Sequence, residues 1–561
     1  MLWYSVTADY GWLFGNVQGG YVQTDQQKTG RLRREMSYLD LSFAGLGAII
    51  GSGWLFAVLY AAQTAGPAAI ISWVIGGVAC LFIALVYAEL SGFLPEAGGA
   101  TRYPQYSHGP LVGFIVSWAA FIAYASVPAI EAEAVVQYAS HYIKGFGKTV
   151  NGNFDAHQPV AFIVEAALLV VFFLLNVYGV KLYAKVNSFV TFLKFLTPTL
   201  TILVVLFVAK DWSNYSAPAT HGFAPYGTAG MLVAVSTAGI VFSFLGFRQA
   251  VEMAAEAKNP QRDAPRAILT ALLAGMAVYV LLQVVFIAAV PKADLTHGWA
   301  ALSLSSPFAQ VASAIGLGWL ATILYADAVL SPSGTGLVYF ASTPRVILGS
   351  ARNGYLGRSW KKISDKTGIP LIPTIATLIA SAIFLLPFPT WQDLVGVISS
   401  ATVFTYIMGP VSLAVFRRHH GSAPRPYRLG GASIISPIAY VMGALIIYWS
   451  GWETVWKLTV GYAIGIIIYL IVSAARHDLA KIDLKAWKQG IWLIAFIAVS
   501  LLETYFGSAR FGGQYNKLHG LIHYPWDLVV VIVLAIGFYY WGVASGSGSK
   551  QTDEAIERAQ Q

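Results

Sequence analysis

Hydrophobic runs, most of them about 17 to 25 residues long, recur between residues 39 and 543, and each is long enough as a helix to cross a hydrocarbon layer of about 30 Å. They predict fourteen spans, near 39–60, 67–92, 111–142, 159–177, 187–209, 229–255, 267–290, 314–342, 371–387, 392–416, 434–449, 458–474, 490–505 and 527–543. Small residues interrupt two of them. The first span reads Gly45-Leu46-Gly47-Ala48-Ile49-Ile50-Gly51-Ser52-Gly53, and the sixth reads Ser236-Thr237-Ala238-Gly239, then Phe242-Ser243-Phe244-Leu245-Gly246-Phe247. Glycine inside a helix costs about 1 kcal/mol relative to alanine, so Gly47, Gly51 and Gly53 together predict a break in the first span. A break at membrane depth strands amides and carbonyls unless they line a cavity or hold a ligand, which makes it a candidate solute site. Glycines at four-residue spacing also allow close helix packing, but matched interruptions in spans one and six fit two inverted repeats with broken first helices.

Composition supports a membrane protein. Of the 561 residues 57% are hydrophobic and only 11% charged, against about 25% charged in an ordinary soluble protein. The net charge of +9 would suggest nucleic acid if it were clustered, but it follows the spans instead. With the N-terminus inside, cytoplasmic segments hold 26 of the 35 Lys and Arg residues and external loops hold 7, while Lys194 and Arg248 fall within spans. The positive-inside rule therefore predicts a multi-pass protein of the cell membrane with both termini cytoplasmic and no nucleic-acid partner. The expected organisation is a cytoplasmic tail 1–35 ending in Arg31-Leu32-Arg33-Arg34, repeats 36–225 and 226–430, accessory spans in 431–545, and a flexible tail 546–561 with a Ser-Gly run. The pattern does not set an oligomeric state.

Chemistry of other kinds finds little support. Cys80 is the sole cysteine and lies in a span, so there is no disulfide framework. Paired Cys or His ligands at metal spacing and a Gly-rich phosphate cradle are not found, so neither a metal, a cofactor nor an enzyme is expected. A sensor built on the same scaffold would use the same cavity, although the tails here are short for one.

Several separate motifs carry a resemblance. They are Ile50-Gly51-Ser52-Gly53; Ala65-Gly66-Pro67; Tyr87-Ala88-Glu89-Leu90 with Pro95-Glu96-Ala97-Gly98-Gly99; Phe244-Leu245-Gly246-Phe247 with Glu256-Ala257-Lys258-Asn259-Pro260 and Pro265; and Arg345 with Ala351-Arg352-Asn353-Gly354. Over about residues 36–430 the chain resembles the amino acid–polyamine–organocation superfamily. Arg102-Tyr103-Pro104, Tyr106-Ser107-His108-Gly109, Leu386-Pro387-Phe388-Pro389 and Tyr448-Trp449-Ser450-Gly451-Trp452 are similar to its bacterial aspartate–proton symporter branch. The resemblance implies an all-α polytopic membrane protein with a sodium-symporter-like five-plus-five inverted repeat, broken helices 1 and 6 and about four additional helices. It implies a proton-coupled amino acid symporter for acidic amino acids such as aspartate and glutamate, with an exchanger or a permease for neutral amino acids as the alternative.

In that frame the amides after the first break, at Ile50, Gly51, Ser52 and Gly53, suit an α-carboxylate, because a helix N-terminus favours an anion. Carbonyls freed around Phe242, Ser243, Phe244 and Gly246 would accept the α-ammonium, with Phe242 as an aromatic lid. Ionisable groups within spans cost about 2.5–3.5 kcal/mol each at a helix centre, so each needs a reason. Lys194 stands where sodium-independent relatives place a lysine in lieu of sodium, within reach of Ser333 and Thr335; the alternative is a lysine that snorkels to the interface. Glu131 and Glu133 lie on different helix faces, so one of them faces the cavity, and Glu131 matches the acidic position of the branch. Asp327 either pairs with Lys194 or joins a structural network. Arg248 either takes the side-chain carboxylate of an acidic substrate in a bidentate fork or pairs with Glu252 one turn on.

Overall fold

The computed structural model describes residue 34 and residues 36–560, apart from 144, 151–152, 156–158, 178–179, 210, 218–220, 365–366, 387–390, 476–483 and 514–520. The expected tail 1–35 lies almost wholly outside the described residues, and so does the Pro387-Phe388-Pro389 motif.

The first helix, α1 (Tyr38–Ile49), starts at a capping box: the Ser37 side chain accepts from the Asp40 amide and the Asp40 carboxylate accepts from the Ser37 amide. After a break comes α2 (Gly53–Ala65), followed by α3 (Ala69–Phe93), α4 (Gly99–Ala139), α5 (Pro159–Val177) and α6 (Val180–Val208). A second broken segment comprises α7 (Gly227–Thr237), α8 (Ile240–Phe244) and α9 (Arg248–Glu252). Then follow α10 (Pro260–Ala289), α11 (Pro307–Ala314), α12 (Gly318–Arg352), α13 (Leu371–Phe384), α14 (Trp391–Tyr406) and α15 (Met408–His419). Last come α16 (Ala432–Trp449), α17 (Gly451–Ala475), α18 (Leu484–Phe506), α19 (Trp526–Ser545) and α20 (Lys550–Gln560). A short antiparallel hairpin, β1 (Lys148–Val150) with β2 (Asn153–Asp155), is an addition to the all-α expectation and lies in the loop after α4.

Each of the fourteen predicted spans coincides with helix, but among the described residues only ten helices are long and apolar enough to cross a membrane, or eleven counting the bent pair Gly227–Thr237 and Ile240–Glu252. The difference has three physical causes. Helix α2 runs into α3 as one 41-residue stretch, α13 has only 14 residues, and α12 interleaves Asp327, Ser331, Ser333, Thr335 and Arg345 with its apolar positions. Helices α4, α12 and α14 pack together at the centre, while α5, α17, α18 and α19 turn apolar faces outward. Ile471 and Val533 are exposed in this way, and so are Phe189 and Phe207 on α6, as side chains facing lipid are.

The acidic and basic residues of the family-like motifs pair at the end of the bundle where α1 starts. Glu89 accepts from Arg417 and from the Leu429 amide and lies 3.3 Å from Arg425; Glu256 accepts from Arg345 at 2.9 Å; Glu96 lies 3.7 Å from Arg102, which donates to Asn353 and Tyr106. The final segment departs from expectation. Instead of a flexible tail, α20 is docked at this end: the Thr552 hydroxyl donates to the Tyr106 carbonyl at 3.0 Å, Gln261 donates to the Ala559 carbonyl at 3.0 Å, and Arg558 lies 3.6 Å from Glu96. Thr552 and Ala555 are buried because they share the face that meets α4.

Candidate functional site

Helix α1 ends at Ile49 and α2 begins at Gly53, so residues 50–52 leave backbone groups without helical partners. Side chains from four other helices satisfy them. Tyr279 donates to the Ile49 carbonyl at 2.7 Å, and Thr335 lies 3.1 Å from the Gly47 carbonyl and 3.3 Å from that of Ile50. The buried Lys194 ammonium donates to the Gly47 carbonyl and, at 2.6 Å, to the Thr335 hydroxyl. The Ser52 amide donates to Glu131 Oε2 at 2.9 Å, and Trp391 Nε1 donates to the Ser52 hydroxyl at 2.8 Å. Gly51 is needed because a methyl group there would sit 2.7 Å from Thr335 Oγ1 and 2.8 Å from Glu131 Oε1. At Gly53 the same addition would run into the Ser243 hydroxyl.

The second break lies at Ala238–Gly239, earlier than the sequence suggested. Gly239 has φ +89° and separates α7 from α8, and the two halves are bent by 48°. Phe242, Ser243 and Phe244 therefore lie inside a helical turn, and the Ser243 amide and hydroxyl both donate to the Gly239 carbonyl. Phe242 meets Trp391 edge to face at 5.8 Å, and Trp391 in turn stacks on Tyr60. Phe244 packs against Trp73 and Tyr279. Gly246 serves close approach: a side chain there would strike the Ile49 amide and the Ala48 carbonyl, so the two broken segments touch backbone to backbone.

Arg248 Nε donates to Glu252 at 2.7 Å, another nitrogen donates to Thr405, and the guanidinium lies 5.0 Å from the Tyr124 ring centroid and 5.4 Å from that of Tyr406. The Glu252 pairing is the arrangement present, with the guanidinium buried. Asp327 accepts from Ser331 at 2.7 Å and lies within electrostatic reach of Lys194, which is also in reach of Glu131. Glu131 and Glu133 are both buried, and Glu131 is the one aimed at the break. Of Ser333 and Thr335, it is the Thr335 hydroxyl that accepts the hydrogen bond from Lys194. Sequence reasoning missed Trp391 and Tyr279, which carried no signal beyond an aromatic in an apolar run.

A model of the amino acid permease family matches residues 36–472, which spans both breaks and every residue of the candidate site. The chain belongs to this family. Over 531 residues this permease is 41% identical to the glutamate/serine transporter AimA of Bacillus subtilis (strain 168), covering 94% of the chain and 96% of that relative. Over 525 residues it is 40% identical to the aspartate-proton symporter of the same organism, covering 92% and 98%. A more distant relative, the branched-chain amino acid permease BcaP, is 28% identical over 478 residues. The permease is thus a multi-pass membrane protein.

Proposed function

We propose that this permease is a secondary transporter that moves an amino acid together with protons, and without sodium, across the cell membrane, with both termini cytoplasmic. The observation that carries the reading is Lys194, whose ammonium bridges the Gly47 carbonyl and Thr335 at the first break. A fixed cation on those oxygens takes the role of a bound metal cation, which leaves proton exchange among Lys194, Glu131 and Asp327 to drive accumulation. Residues 50–53 with Phe242, Ser243 and Gly246 frame the amino acid in this reading, and segments 36–225 and 226–430 move against each other as repeats.

Acidic amino acids are the favoured cargo. Arg248 would exchange Glu252 for the substrate side-chain carboxylate in a bidentate fork, and the two similar transporters named for glutamate/serine and aspartate fit that choice. A second reading, small neutral amino acids, is supported by the same ion pair, since Arg248 is already neutralised. Counterflow of labelled L-glutamate in proteoliposomes, competed by a panel of unlabelled amino acids, tests both. The account expects aspartate and glutamate to compete best. Competition by serine and alanine alone selects the neutral reading, and binding without flux selects a sensor.

A further inference from the structure

We propose that Glu131 is a built-in competitor for the substrate's α-carboxylate: its side chain occupies the Ser52 amide at the first break, and taking up a proton makes it yield that amide to the amino acid. The proposal rests on the transport reading above.

The Ser52 N–H lies at the start of α2, a 13-residue helix whose dipole favours an anion, and it holds Glu131 Oε2 at 2.9 Å. Glu131 reaches it from the last third of α4, 79 residues away in sequence, so this is no local cap. Its other oxygen, Oε1, is buried without a hydrogen-bond partner and is aimed at Gly51, beside Thr335 Oγ1. The carboxylate therefore stands where an amino acid's carboxylate would be received, half satisfied. One N–H donates one strong bond, so two carboxylates on Ser52 exclude each other by geometry and by repulsion.

Protonation removes the conflict. A proton from water binds a Glu131 oxygen, no bond of the substrate changes, and the neutral carboxyl is a far weaker acceptor than a carboxylate. The groups facing Glu131 are Lys194 from α6, Tyr279 from α10 and Tyr339 from α12, with Asp327 behind Lys194. Lys194 does not remove the competition, because its ammonium is committed to Gly47 and Thr335 and leaves the Ser52 amide to Glu131. Substrate and proton thus enter together because the empty, deprotonated site is occupied by the protein itself.

The test is equilibrium binding of labelled L-aspartate, L-glutamate and L-serine to the purified full-length protein between about pH 5.5 and 8.5, a range above the ordinary glutamate pKa of about 4.3. In wild type the dissociation constant should rise about tenfold per pH unit above the pH at which Glu131 ionises, since the competent fraction falls by that factor. Glu131→Gln should bind with no such slope, and more tightly than wild type at high pH. Glu131→Asp, which withdraws the carboxylate from the amide, should also bind more tightly than wild type at pH 8. A slope retained in Glu131→Gln, or Glu131→Asp binding no better than wild type at pH 8, overturns the proposal. A pH-independent wild type overturns it too while the transport reading stands, and a wild type that binds none of the three overturns the transport reading itself.

Discussion

Three buried charges carry the proposal: Lys194 and Glu131 are held by partners on other helices, and Arg248 by Glu252 one turn on and by Thr405, and their removal is expected to separate coupling from cargo. Lys194→Ala is expected to abolish accumulation driven by a proton gradient while leaving counterflow of labelled serine measurable in proteoliposomes; gradient-driven accumulation equal to wild type would reject its role. For Arg248 the ion pair changes the experiment. Removing one partner of a buried pair costs about 3–5 kcal/mol, because Glu252 is left without a counter-charge. Arg248→Ala should therefore melt far earlier than wild type, and Arg248→Met combined with Glu252→Gln should recover most of the loss in a thermal unfolding assay. In that double variant, aspartate and glutamate binding should weaken by about 2–5 kcal/mol, or about thirtyfold to several thousandfold, with serine nearly unchanged. Equal losses for all substrates make Arg248 structural. The charged members of the site were legible in the sequence because an ionisable group in an apolar run is conspicuous. Trp391 and Tyr279 were not, since aromatic residues are ordinary in such runs and only the fold aims the indole at Ser52 and the phenol at the Ile49 carbonyl.

Among the elements, the two broken helices depend on backbone contact at Gly246. Gly246→Ala forces a methyl group onto the Ile49 amide and the Ala48 carbonyl, which belong to rigid backbone, so a loss of at least about 1–3 kcal/mol and of uptake is expected; a variant with wild-type melting and uptake would contradict the close approach. The glycines at 51 and 53 announced the first break, whereas in the sixth span the break falls at Gly239 and Gly246 has this packing role, a distinction that depends on φ and neighbours rather than on spacing. The docked α20 did have a signal. Thr552, Ala555, Ile556 and Ala559 recur at helical spacing, but the preceding Ser-Gly run and the shortness of the segment read as linker. Deleting residues 548–561 removes the Thr552 and Ser549 bonds to Tyr106 and the Arg558 contact with Glu96. Maleimide labelling of a cysteine at position 105 should then accelerate several-fold, and an unchanged rate would show that α20 does not shield this end.

For the whole molecule, Glu89, Glu96 and Glu256 pair with their arginines at the end where α1 starts, which gathers these basic loops at one end of the bundle. Hydropathy made the helices legible almost throughout, because lipid imposes a similar apolar length on each; α13, apolar and outward-facing but only 14 residues long, and α12, whose polar positions reach the site, depart from that length or composition. The central claim is amino acid transport coupled to protons, with Lys194 in place of sodium. The most direct test is uptake of labelled L-glutamate, L-aspartate and L-serine into proteoliposomes under an inward proton gradient, with external sodium replaced by choline. The account predicts transient accumulation above equilibrium that persists in choline and collapses with a protonophore; accumulation that requires sodium, or that ignores the proton gradient, would contradict it.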